Sequence, residues 1–312
     1  MTGYLFQEGI PEGSTFDFDS GIFHNPKHLQ LQSATGWRSF VMLSNVNRSI
    51  AALLHVHIEG ENAVSPLRSP YGSILFSKTL ASESITEFVN FIETNLKGKG
   101  VKKLTLKNPP EIYAPNESER LQKILTSLGY ECTEEISAVL PVTLEKFESA
   151  LHHSEKKRLR KCKESGLTFN QLPLHDLSIV YEFLKTCREE KGYSLSLSLD
   201  EIKRVINVFP EEFFLTSVTT NDGQFVAANI SIQVNERVLY NFYHDHLASY
   251  DALSPVVFLN EGLYQICQQR KLLLLDLGTS QAGGKLNESL LSFKLKLGAQ
   301  PSNKFTFVKK LS

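Results

Sequence analysis

The two halves of this 312-residue chain carry the same pattern, and that duplication limits the fold more than any other feature. Lys102-Lys-Leu-Thr-Leu-Lys-Asn-Pro-Pro110 and Lys271-Leu-Leu-Leu-Leu-Asp-Leu-Gly-Thr-Ser280 are short apolar runs, each reached from a helical segment and stopped by Pro or Gly. Asn116-Glu-Ser118 opens a helical run ending at Leu128-Gly129-Tyr130, and Asn287-Glu-Ser289 opens one ending at Leu297-Gly298-Ala299. A strand-like segment closes each half, 136–142 and 304–311. The offset between matching positions stays near 170 residues. Such a chain is expected to fold as two copies of one α/β unit, residues 1–142 and 143–312, the second opening with a connecting helix over 143–165.

The order of elements within each half follows from hydrophobic period and turn chemistry. Residues 38–43 and 50–58 read as strands joined by the polar turn 44–49, and Gly60-Glu-Asn62 turns the chain into a third strand. Ser82-Glu-Ser84 is expected to cap a helix to about Leu96, with Ile85, Phe88, Val89 and Ile92 on one face. The second half repeats the order: strands over 213–218, 225–234 and 237–243, then a helix after Ser254-Pro255. There a capping hydroxyl precedes proline at the first helical position. In the connecting helix Leu144, Phe147, Leu151, Leu159 and Cys162 form a patchy apolar stripe. Six of the eight residues from Lys156 to Lys163 are basic.

Composition removes several function classes. A net charge of −1 and a pI near 6.8 argue against coating nucleic acid through global charge, though a local basic site remains open. The four cysteines form no zinc-like spacing and read as reduced structural thiols. No export signal and no membrane-length apolar run is visible, so a cytoplasmic location is expected. His55-x-His57 and His244-x-His246 lack a matching third ligand, so no metal is expected. No nucleophile elbow, Walker loop or dinucleotide-binding glycine pattern occurs.

Three stretches resemble the FemAB-type branch of the GNAT acyltransferases, a bacterial group with two GNAT-like domains in tandem. They are Lys156-Lys-Arg-Leu-Arg-Lys-Cys-Lys-Glu-Ser-Gly-Leu167, Tyr240-Asn-Phe-Tyr-His-Asp245 through Leu253-Ser-Pro255, and Leu275-Asp-Leu-Gly-Thr-Ser280 with Asn287 and Ser292-Phe-Lys-Leu-Lys-Leu-Gly298. Arg68-Ser-Pro-Tyr-Gly72 resembles a further segment of bacterial members. The resemblance implies an α/β fold of two tandem GNAT-like domains, each a mixed, mostly antiparallel sheet flanked by helices. It also implies transfer of an acyl or aminoacyl group to an amine or hydroxyl, with acyl-CoA or aminoacyl-tRNA as donor.

The leading expectation is an acyl-CoA donor. The pyrophosphate loop of GNAT enzymes holds its anion on bare backbone N–H groups at a helix N-terminus. The matching segment here, 244–254, contains no glycine. An aminoacyl-tRNA-dependent transferase acting on a cell-wall precursor is second, favoured by the basic helix. A non-catalytic binder, its cleft filled by Phe242 or Tyr250, is third.

Acyl transfer needs a positioned nucleophile, a proton acceptor and a stabilised oxyanion. Lys294 matches the family's Phe-Lys pair and is the expected electrostatic group. Tyr243, His244 and Asp245 end the strand bordering the expected cleft of the second domain and are candidates for relaying a proton. Asp276, in an otherwise apolar strand, must be paired or functional. Thr279, Ser280 and Asn287, around Gly278 and Gly283-Gly284, suit substrate hydrogen bonds, with Tyr250 and Ser254 in the preceding loop. Arg68 and Tyr71 are candidates for a charged or sugar-like acceptor, and Arg158, with Arg160, for a phosphate. Oligomeric state stays open.

Overall fold

The computed structural model describes residues 3–282 and 284–311. Two compact units result: Met1–Glu135 with Ser302–Ser312, and Ile136–Pro301. The first holds β1 (Tyr4–Glu8), α1 (Pro26–Gln32), β2 (Trp37–Ser44), β3 (Ile50–Glu59), β4 (Asn62–Ser65), β5 (Leu75–Phe76), α2 (Ser82–Gly98), β6 (Lys103–Pro110) and α3 (Pro115–Ser127). Its strands pair antiparallel from β1 to β4, and β4 lies parallel to β6. On α2 the spacing of Ile85, Phe88, Val89, Ile92 and Leu96 places all five on one face, each at most 1% exposed. They pack with Phe40, Met42 and Leu54 of the sheet. Each such side chain adds about 1.5–3 kcal/mol by leaving water. The cap expected from Ser82-Glu-Ser84 is displaced: the N-cap is Ala81, without a side-chain hydrogen bond.

The chain enters the second unit within β7 (Glu131–Pro141). There follow α4 (Phe147–Ala150), α5 (His153–Glu164), β8 (Thr168–Leu172), α6 (Leu177–Glu190), α7 (Leu199–Val208), β9 (Phe213–Thr219), β10 (Phe225–Asn235), β11 (Val238–His246), α8 (Pro255–Gln269), β12 (Leu274–Thr279), β13 (Gln281–Ala282), β14 (Lys285–Leu286), α9 (Glu288–Lys296) and β15 (Gln300–Lys310). Its sheet runs β7-β12-β11-β10-β9-β8, antiparallel except for the β11–β12 pair. Helix α8 packs on this sheet so closely that a Cβ at Gly262 would fall 2.1 Å from the Phe169 ring.

Two expectations change. The connecting helix is two helices: Leu151 is extended, and His152 Nδ1 accepts the Ser154 N–H to cap α5. Leu144 is fully exposed and supplies no apolar stripe. The closing strands also join the unit opposite to their repeat. Residues 136–141 pair antiparallel with β12, whereas β15 pairs antiparallel with β6 and buries Phe305 and Phe307 in the first unit's core. Among the described residues no helix is long and apolar enough to cross a membrane.

Candidate functional site

The site of the second unit begins with two parallel strands that part. β11 and β12 are in register only at Val238–Leu274, Leu239–Leu275 and Tyr240–Asp276. Beyond that point β12 bends, because the Gly278 N–H donates to Asp276 Oδ1 at 2.7 Å and Gly278 takes a φ of 76°. A side chain would be strained in that left-handed conformation. The wedge opens into a cavity of about 770 Å³, walled by Tyr240, Phe242, His244 and His246 on one side and Leu277, Gly278 and Thr279 on the other. Ser254 and Val256 bring the first turn of α8 to it, and Phe293 and Lys294 bring α9.

Lys294 is the best-built group in this cavity. It is 3% exposed, and its Nζ donates to the carbonyls of Gly278 and Thr279, both at 2.9 Å. An ammonium carries three N–H donors, so one remains for a guest. Burial pulls its pKa from 10.5 down to about 8, against the opposing pull of Asp276. Asp276 is buried and does not line the cavity; it holds the β12 bend and supplies countercharge to Lys294.

The expected proton relay is redistributed. His244 lines the cavity, but burial, then the neighbouring Lys294 and Arg188 charges, lower its pKa to about 3. Such an imidazole stays neutral and is a weak base near neutrality. The Tyr243 ring stacks on Phe242 with centroids 3.9 Å apart, its hydroxyl bonds Ser196 Oγ and accepts the Leu197 N–H at 3.0 Å, and burial raises its pKa. It is absent from the cavity wall. Asp245 reaches the cavity but is held by Lys191 and, at 3.6 Å, by Arg188.

The remaining candidates divide. Arg158 lines the cavity while its Nη1 bonds both oxygens of the buried Glu155 at 3.1 Å. Arg160 is exposed and pairs with Glu164. Thr279 lines the cavity; Ser280 is fully buried and does not. Asn287 caps α9 by accepting the Leu290 N–H, which is a structural duty. Ser254 is no capping hydroxyl: its φ is 52°, and its Oγ donates back to Asp251 O. Tyr250 packs on the cluster around Val226 and Leu259. Gly283 lies outside the described residues.

Arg68 and Tyr71 belong to the first unit and do not line this cavity. The Arg68 N–H donates to Gln32 Oε1, and Tyr71 is buried edge-on between Phe23 and Tyr113. Among the described residues, no cluster of three His, Cys, Asp or Glu side chains has the geometry to hold a metal ion. The sequence reading missed Arg188, Lys191 and Tyr193, which α6 and the turn after it bring to the cavity wall. The only signal was charge in the last turn of an amphipathic helix, which ordinarily marks a solvated end.

No protein-family model matches the sequence, and no curated protein matches it in sequence. Solved structures do share the fold. FemX is similar over 90% of each chain with a TM-score of 0.68 at 10% identity. L-PGS from Bacillus licheniformis is similar over 96% of this chain and 94% of its own, with a TM-score of 0.56 at 11% identity. The C-terminal domain of a putative lysylphosphatidylglycerol synthetase from Agrobacterium fabrum is similar over 83% and 81%, with a TM-score of 0.54 at 12% identity. The chain therefore shares the fold of these structures, that of two tandem GNAT-like units.

Proposed function

We propose that the second unit transfers an acyl group from an activated donor of acyl-CoA type to an amine or hydroxyl acceptor, in the cavity between β11 and β12. The observation that carries this reading is the parting of two parallel strands beside a buried, doubly anchored Lys294 with one N–H to spare. A nucleophile attacking an ester or thioester carbonyl drives charge onto its oxygen. A fixed cation in a partly dry site stabilises that charge without reorganising; loss of one such donor slows acyl transfer about 10²–10³-fold. Proximity, this donor and a proton acceptor suffice without a metal. The open volume also supports turnover over mere binding: Phe242 lies along the wall and Tyr250 packs elsewhere, so neither fills the wedge.

An aminoacyl donor is the second reading. It is supported by the basic face of α5, from which Arg158 reaches the cavity, and by similar folds named for lysylphosphatidylglycerol synthesis. Incubation with acetyl-CoA, octanoyl-CoA and alanyl-tRNA, each with a mixture of small amine acceptors, separates the two. Thiol release dependent on acceptor and on Lys294 supports the first. Deacylation of the tRNA ester alone moves the assignment to the second, and no donor consumption removes both.

A further inference from the structure

We infer that His246, oriented by Asp251, is the general base that takes a proton from the acceptor amine at this site. The inference rests on the acyl-transfer reading. Both side chains line the cavity, and His246 Nε2 lies 2.7 Å from Asp251 Oδ1. A carboxylate only accepts, so this contact fixes the ring proton on Nε2 and leaves the lone pair on Nδ1. The ring is half-buried, its side chain 22% exposed.

The groups packed around it complete the case. Asp245 Oδ1 stands 3.8 Å from Nδ1, and it already receives the His246 backbone N–H at 2.8 Å and the Lys191 ammonium. Lys191 also reaches the His246 carbonyl at 3.5 Å. An imidazolium formed here is thus flanked by two carboxylates, Asp245 and Asp251. Among the described residues no carboxylate hydrogen-bonds His244 to orient its ring, and the Lys294 and Arg188 charges outweigh the opposing pull of Asp245 on it. The two histidines on the wall are therefore divided in function: His246 receives protons, and His244 stays neutral beside the Lys294 cation.

An alkylammonium acceptor gives one proton to His246 Nδ1 and becomes the amine. Its lone pair forms the new C–N bond while the carbonyl electron pair moves to oxygen, beside Lys294. Collapse breaks the bond from carbon to the leaving sulfur or oxygen. That group departs with the bonding pair and takes the second amine proton, and the imidazolium returns its proton to water.

Two acceptors separate this role from a structural one: methylamine, an ammonium at neutral pH, and hydroxylamine, largely free base. Transfer to each from acetyl-CoA, octanoyl-CoA and alanyl-tRNA is measured for the full chain, His246→Gln and Asp251→Asn. The expected result is a methylamine-to-hydroxylamine rate ratio about 100-fold lower in His246→Gln, with a smaller fall in Asp251→Asn. A ratio unchanged in His246→Gln overturns the assignment. Wild-type protein that uses neither acceptor overturns the acyl-transfer reading and the base with it. A measurement independent of turnover is the long-range ¹H–¹⁵N spectrum of the imidazoles: the proton of the uncharged His246 tautomer is expected on Nε2, and finding it on Nδ1 contradicts the proposal.

Discussion

Replacing Lys294 by Met should leave the protein no less stable near neutral pH, although the side chain is almost fully buried. The magnitude comes from two opposing terms. Burial lowers the Lys294 pKa from 10.5 to about 8, and at about 1.36 kcal/mol per unit the buried charge costs the fold about 3 kcal/mol near pH 7. Methionine removes that charge at similar volume, but it abandons the bonds to Gly278 O and Thr279 O, together worth about 1–3 kcal/mol. The net expectation is a gain of about 0–2 kcal/mol in Lys294→Met, the attraction of Asp276 being already counted in the lowered pKa.

The pH dependence has a definite sign. The unfolded chain keeps this proton up to 10.5 while the folded one releases it from about 8. Between those values the unfolded state binds more protons, so wild-type stability rises with pH and the cost falls below about 1 kcal/mol by about pH 10. Lys294→Met lacks that rise. Urea unfolding of both proteins at pH 7 and pH 10 measures it: the difference between them should move toward wild type by about 2 kcal/mol. A variant destabilised by 2 kcal/mol or more at pH 7, or a difference that ignores pH, would refute the reasoning.

Other outcomes follow from the same physics. Gly262→Ala drives a methyl group into the Phe169 ring and should destabilise the second unit by about 1–3 kcal/mol in urea. Tyr243→Phe removes the hydroxyl bonded to Ser196 and Leu197; it should lose about 1 kcal/mol of stability while leaving donor binding intact, because Tyr243 is outside the cavity wall. Burial holds His24 at a pKa of about 3 and His28 and His55 at about 4, below their ordinary 6.5. Their contribution is full above 6.5 and is lost as pH falls toward 4 to 3. His24→Leu should therefore recover about 2 kcal/mol of the loss seen by thermal unfolding near pH 5.

The duplication, the strand order and the helix faces were legible because each rests on local period and punctuation: α2 shows its stripe in four residues. The destination of the closing strands was not. Both repeats offer an equivalent open strand, β6 and β12, and nothing in residues 136–142 or 304–311 distinguishes one from the other before the chain folds. At the site, Lys294 could be found from a two-residue motif, and Asp276 from the cost of burying a carboxylate. Tyr243 was placed in the relay because it ends the same strand as His244 and Asp245, and the bonds that engage its hydroxyl come from Ser196 and Leu197, more than forty residues earlier, with no local signature. Asn287 and Tyr71 drew attention by chemistry and proved to be a cap and a core aromatic. Arg188 and Lys191 reach the cavity only through the docking of α6, a tertiary fact with no local signature.

The most direct test of the acyl-transfer reading is a thermal-shift titration of the full chain with acetyl-CoA, octanoyl-CoA and free CoA, wild type against Lys294→Met. A ligand at 100 times its dissociation constant stabilises by about 2.7 kcal/mol. The expected result is stabilisation by an acyl-CoA beyond that by free CoA, with the acyl-dependent part lost in Lys294→Met. Equal response of the two proteins, or none to any CoA, would contradict an acyl-CoA site built on Lys294.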